Sequence, residues 1–236
     1  MSPTIRGFVE RRLLVNYRVD LETLDKALPA PFRAREVGDT REGMGSVCFT
    51  QVEDARPSLF PSGMGTTVEA VTHRVSAELR LEGEPTAEHC FYVPQREVSS
   101  RLQAIVGRRL LPTKMEQAEI TTEENGDGCL VLVEDGIEKV GFEVRETDTD
   151  EVDEDSVFYS VESARVFLCE GGVEYSRSGG SYGGLNCCQD GGEMVPVEVT
   201  RARSSYFEKM GGVLDSAFVI AETEHEWQPD RPVPAP

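Results

Sequence analysis

A two-residue alternation of side chains recurs along this chain and restricts it to a sheet-based fold. In residues 9–19, Val9, Leu13, Val15, Tyr17 and Val19 fall on one side, with Arg12, Leu14, Asn16 and Arg18 on the other. That is the period of a strand. Val71, His73, Val75, Ala77, Leu79 and Leu81 repeat it. Residues 32–37, 44–52, 137–145, 194–207 and 217–222 read as further strands. Residues 115–122 and 129–133 read as a hairpin across Glu124, Asn125, Gly126, Asp127 and Gly128. Helices are few and short. Asp20 caps one that carries Leu21, Leu24 and Leu28 and stops at Pro29. Ser160 caps another that runs to Cys169 and closes at Gly171 and Gly172. Residues 53–65, the acidic 146–155 and the glycine-rich 178–192 read as loops, and residues 229–236 as a loose tail. There is no internal repeat and no composition break. The prediction is one α+β domain over residues 1–228, built mainly on an antiparallel sheet or barrel with a few short helices.

Charge narrows the functional classes. The formal net charge is -19, with 43 acidic residues against 24 lysines and arginines. Only four of those cations are lysine: Lys26, Lys114, Lys139 and Lys209. Such a surface repels nucleic acid and anionic membrane, so neither is an expected partner. Acid excess with lysine scarcity reads as adaptation to a salt-rich cytoplasm, and plain solubilisation is the alternative. No apolar run approaches membrane length, and the first residues alternate charge too quickly for a signal peptide, so a soluble cytoplasmic protein is expected. Six cysteines lack C-x-x-C spacing and read as reduced core residues. The vicinal Cys187 and Cys188 admit a redox reading as well as a passive one.

Against that acidity, residues 91–120 concentrate cations in a strand–turn–helix–turn–strand pattern. Arg96, Glu97, Ser99, Ser100 and Arg101 crowd the first turn; Arg108, Arg109 and Lys114 crowd the second. Arg96, Arg101 and Arg108 are suited to grip a carboxylate in bidentate fashion. Ser99 and Ser100 are placed to cap the helix, whose N-terminus favours an anion. Capping and pairing with local acids explain the same residues without a ligand. His73 sits on the apolar side of its strand and reads as a hydrogen-bonded core histidine. Neither His89 nor His225 has metal-ligand spacing, so no metal is expected. Nor is there a P-loop or a G-x-G-x-x-G fingerprint, and no cofactor is expected. Residues 179–183 match G-x-S-x-G, but without a strand before and a helix after they are no nucleophile elbow. Tyr175, Ser176 and Arg177 suit a pocket mouth or an ordinary strand end.

Two segments resemble the acetoacetate decarboxylases. YRVDLETLDKALPAPF, from Tyr17 to Phe32, is similar to that family's opening, and QAIVGRRLLPTK, from Gln103 to Lys114, to its helix and Pro-Lys-Lys turn. The resemblance implies a closed antiparallel barrel or cone with short helices, homo-oligomers, and an enzyme acting on a small oxo-acid or related carbonyl compound. It also implies a Schiff-base lysine directly after the proline; that position is Thr113 here, and Lys114 follows it. Glu69 falls where the family places a site glutamate, and the family's first-strand arginine falls at Glu10 or Arg11. The expected roles are Lys114 as amine, Glu69 as acid/base, and Arg96, Arg101, Arg108, Ser99, Ser100 and Arg11 as substrate-binding groups. A lysine turns nucleophilic when burial and nearby cations lower its pKa; an exposed lysine after a turn is the plain alternative. A non-catalytic carboxylate-binding pocket of the same fold and an acidic scaffold are the rival functions.

Overall fold

The computed structural model describes residues 3–235 except 82, 127, 135–137, 148, 171, 190 and 191. Asp127 and Gly171, and positions 137, 148, 190, 191 and 236 within the ranges read above, lie outside the described residues, as do the side chains of Asn125 and Cys188.

The chain is mostly strand. β1 (Ile5–Asp20) leads into α1 (Leu21–Ala27), then β2 (Phe32–Ala34), β3 (Glu42–Pro57), β4 (Thr66–Leu79) and β5 (Glu88–Val98). Next come α2 (Arg101–Leu110), β6 (Glu116–Gln117), β7 (Glu119–Asn125), β8 (Gly128–Glu134) and β9 (Glu138–Glu146). α3 (Val161–Cys169), β10 (Val173–Ser178), β11 (Ser181–Gln189), β12 (Met194–Ser204), α4 (Ser205–Glu208) and β13 (Val213–Pro234) complete it. The caps follow the sequence. The Asp20 carboxylate accepts from the Thr23 N–H, and Ser160 forms a reciprocal capping box with Ser163.

The strands pair in the order β1-β3-β4-β5-β10-β11-β13, and β13 pairs back onto β1. This closes a ring and removes its exposed edges. Pairing is antiparallel apart from β10 and β6, each parallel to β5. From β13 a second arm, β12-β9-β8-β7, extends the sheet and folds over part of the ring. One face of β1 packs Leu13, Val15, Tyr17 and Val19 against Val131, Val140 and Phe142 of that arm. The opposite face is buried too. There Leu14, Met44, Cys48, Phe218 and Ile220 pack on Phe167 and Leu168 of α3. Both sides of β1 are therefore covered, which explains why Leu14 interrupts a simple apolar–polar alternation and why Asn16 is buried, bonded to Ser46 and Ser216.

Three expectations need correction. First, residues 178–189 are no loop: β10 and β11 form a hairpin, with Ser178 opposite Ser181. Glycine is there for proximity, since a Cβ on Gly183 would land on the Pro112 carbonyl oxygen. A strand does precede residues 179–183, but another strand follows, so an elbow is still not formed. Second, residues 229–234 are not loose; they continue β13 along β11, with Pro229 opposite Leu185 and Pro234 opposite Ser181. β13 pairs with β1 only as far as Trp227, so beyond it one edge is open and prolines cost no ladder bond. Third, β3 runs on to Pro57, which shortens the loop predicted from residue 53.

Candidate active site

Register carries side chains around the ring in rows. Leu14 lies opposite Cys48, Cys48 opposite Thr72, and Thr72 opposite Arg96. The next row is Arg12, Thr50, Ala70 and Val98. Both rows face a cavity of about 390 Å3 to which every strand of the ring contributes and over which α2 lies. Its walls are mostly apolar, among them Val68, Val98, Leu110, Met115, Leu185 and Trp227. Polar groups gather where Arg12, Arg96, Glu174 and Cys187 stand. The same residues, except Arg96, also border a smaller cavity of about 200 Å3 on the α3 side, joined there by Arg74.

The centre of this cluster is the buried ion pair of Arg96 and Glu174. Arg96 also donates from Nη1 to Thr113 Oγ1 at 2.8 Å and from Nε to Thr72 Oγ1 at 3.3 Å. Ser176 Oγ donates to Thr113 Oγ1 at 2.9 Å and accepts from the Lys114 N–H. Arg12 Nη2 lies 3.9 Å from Glu174, and Arg12 Nε donates to Cys48 Sγ. Arg74 stacks over Phe91 and donates to the Leu168 carbonyl. Burial alone would raise the Glu174 carboxyl; the guanidiniums of Arg96, Arg12 and Arg74 outweigh it and hold it below the usual range. Burial next to Glu174 holds the Cys187 thiol well above its ordinary value, so it is a neutral thiol here. Among the described residues three guanidiniums surround one carboxylate, and Arg12 has partners besides Glu174 and Cys48. Even Arg74 and Arg96 alone outnumber Glu174. Arg96 faces the larger cavity and Arg74 the smaller one, and a buried guanidinium set in mostly apolar walls is what a carboxylate would neutralise.

Of the residues anticipated for the site, Arg96 lies in the cluster and Ser100 lines the cavity. Ser100 is the N-cap residue of α2 but makes no side-chain cap, and Ser99 gives its backbone N–H to the Glu69 carbonyl. Arg101 and Arg108 are exposed on α2, and Arg108 Nε donates to the Ala104 carbonyl. Lys114 is turned outward. Its ammonium pairs with Glu116 at 2.7 Å, and its side chain is 54% exposed. The cause is alternation along an extended segment: Thr113 points in, so Lys114 points out. Glu69 and Arg11 share one row through Gln51, but on the face of the sheet away from Arg96; Arg11 pairs there with Glu124 at 2.7 Å. The geometry therefore does not bring Lys114, Glu69 and Arg96 into one cavity. None of the four lysines lines it.

The sequence reading passes over Arg12, Glu174 and Trp227. Arg12 is one residue beyond Arg11, and a register shift between Val9 and Arg11 in the β1–β3 ladder decides which faces inward. Alternation with Leu14 and Asn16 was the available signal. Ser176 does join the network, while Tyr175 packs in the core and Arg177 is exposed. His73 is a buried core histidine, with Nε2 3.2 Å from Ser204 Oγ. Among the described residues no group of three His, Cys, Asp or Glu side chains is placed to hold a metal ion. Among the described residues no helix is long and apolar enough to cross a membrane.

No protein-family profile and no curated protein matches this chain. Solved structures do. An acetoacetate decarboxylase from Legionella pneumophila subsp. pneumophila str. Philadelphia 1 superposes with a TM-score of 0.64 at 11% identity, covering 98% of this chain and 88% of that one. An acetoacetate decarboxylase-like enzyme from Sphingomonas wittichii RW1 gives 0.64 at 10% identity, covering 99% and 94%. The enduracididine biosynthesis enzyme MppR, complexed with pyruvate, gives 0.58 at 12% identity, covering 97% and 91%.

Proposed function

We propose, from the acetoacetate decarboxylase-like fold that this chain has, that it takes a small oxo-acid or related carboxylate into the ring cavity and acts on its carbonyl without a lysine Schiff base. One observation carries the reading: Arg96 stands buried, paired with Glu174, in the wall of a mostly apolar cavity. MppR, of the same fold, is a pyruvate complex. The carboxylate would join Glu174 as a second counter-ion of the arginines. The Thr113 and Ser176 hydroxyls, tied to Arg96, are the groups that would meet charge developing on the carbonyl oxygen. Lys114, facing outward, has no part in it. The half-buried face that carries Arg11 and Glu69, turned toward the second arm, is left to structure.

A specific feature also favours a second reading, binding without turnover. Arginines that grip a carboxylate stabilise it in the ground state, which opposes loss of CO2. Proton NMR separates the two. With pyruvate and acetoacetate in D2O, the enzyme reading expects saturable binding together with faster hydrogen exchange beside the carbonyl or loss of CO2. Saturable binding alone leaves the non-catalytic reading. If neither acid binds wild type at millimolar concentration, both fail.

A further inference from the structure

The cavity is too large and too apolar for a three- or four-carbon acid. Its roughly 390 Å3 equals about thirteen water-sized units of about 30 Å3 each, whereas pyruvate has about six non-hydrogen atoms. The volume falls among cavities that enclose drug-sized ligands. Its buried ion pair, Arg96 with Glu174, stands in walls that are otherwise mostly apolar, with Arg12, Arg56 and Gln103 the other long polar side chains that line it. The walls under α2 are aliphatic, and Leu102 and Val106 turn toward the cavity instead of into a packed core, leaving them 69% and 42% exposed. α2 has one buried side chain, Ala104. An amphipathic helix ordinarily covers its apolar face with its own protein. Here part of that face is left to line a void.

We infer that the ligand is an oxo-acid with a substantial apolar body, of about six to eight carbons beyond the head group, seated head-first on Arg96 with its tail against Leu102, Val106, Met115 and Trp227. The apolar tail completes the core beneath α2. This rests on the carboxylate reading above and adds the class of substrate.

Titration of straight-chain 2-oxo-acids, from pyruvate to 2-oxodecanoate, tests it by calorimetry alongside the fluorescence of Trp227. That residue is the only tryptophan in the chain and lines the cavity. Straight-chain alcohols of matched length are the controls. Each added methylene should tighten binding about fourfold, equivalent to about 0.8 kcal/mol, until the chain reaches the mouth. Matched alcohols should bind at least tenfold more weakly, and Arg96→Gln should weaken the acids by a similar factor. Val106→Asp, at a partly exposed position, should flatten the length dependence. If pyruvate binds as tightly as 2-oxooctanoate, the apolar-body inference is overturned while the carboxylate reading stands. If alcohols bind as tightly as acids of the same length, the head-first carboxylate is wrong whatever the slope. Failure of every acid to bind overturns both.

Discussion

Removing Arg96 should expose how the centre of the ring is held. Arg96→Met keeps the length of the side chain and deletes its charge, its bond to Thr113 at 2.8 Å and its bond to Thr72 at 3.3 Å. Glu174 is then left buried with Arg12 3.9 Å away. Breaking a buried ion pair on one side costs about 3–5 kcal/mol, because the remaining charge is stranded in a poor solvent. That is a large part of a typical domain stability of about 5–15 kcal/mol. The double variant Arg96→Met with Glu174→Leu removes both charges and should be more stable than either single variant. Urea unfolding followed by circular dichroism measures all four proteins. The deficit of Arg96→Met should also depend on pH. The Glu174 carboxyl is held below the ordinary glutamate value of about 4.3, so the folded state takes up its proton later than the unfolded chain as pH falls. The stability this supplies is complete above about pH 4.3 and is lost as pH drops through the lower folded value. The deficit should thus be full at pH 7 and shrink toward pH 3. A deficit below about 1 kcal/mol, as for exposed pairs, would refute the reasoning. So would a double variant no better than the sum of the singles.

Lys114→Ala should change stability by less than about 1 kcal/mol, since it removes only an exposed pair with Glu116, and borohydride with an oxo-acid should leave no adduct on Lys114 in wild type; a stable adduct there, found by peptide mass spectrometry, would restore the amine role. Burial, with Lys139 adding to it, pushes the His73 imidazole down to about 4, so between about pH 6.5 and 4 the unfolded chain binds this proton and the folded one does not. Stability should therefore fall with pH across that window, by an amount on the order of 3 kcal/mol at its lower end, and His73→Gln should flatten the slope in acid titrations of unfolding. The melting temperature should rise as potassium chloride goes from dilute to molar, where the Debye length shrinks from about 30 Å to about 3 Å. Asp153, Glu154 and Asp155 line one surface depression with Glu198 and Asp215, so Asp153→Asn with Glu154→Gln should weaken that salt dependence. Insensitivity to salt would remove the halophilic reading.

The strands were legible because their signal is local. The alternation in residues 9–19 and 71–81 and the caps at Asp20 and Ser160 depend on near neighbours, and β1, β4, α1 and α3 follow them. The hairpin of β10 and β11 was not legible because Gly183 and Gly184 imitate a loop; they are small for the sake of Pro112 and Arg231, which are distant in sequence. The end of β13 was hidden by its prolines, which are harmless only because β1 has already stopped pairing there. For the site, the cation-rich residues 91–120 led to Arg96. Which of Arg11 and Arg12 points inward depends on a register shift between strands, and Glu174 comes from a strand 78 residues after Arg96. No local pattern encodes either. For Lys114 the residues left two readings open, a buried amine and an exposed lysine after a turn; its direction is set by Thr113 turning inward, and the ammonium pairs outside with Glu116.

If Arg96 makes the ring cavity a carboxylate site, quenching or blue shift of Trp227 fluorescence by 2-oxooctanoate should differ between wild type and Arg96→Gln. Binding should saturate in wild type and weaken at least tenfold in Arg96→Gln while far-ultraviolet circular dichroism is unchanged. Equal affinity in the two folded proteins would contradict it.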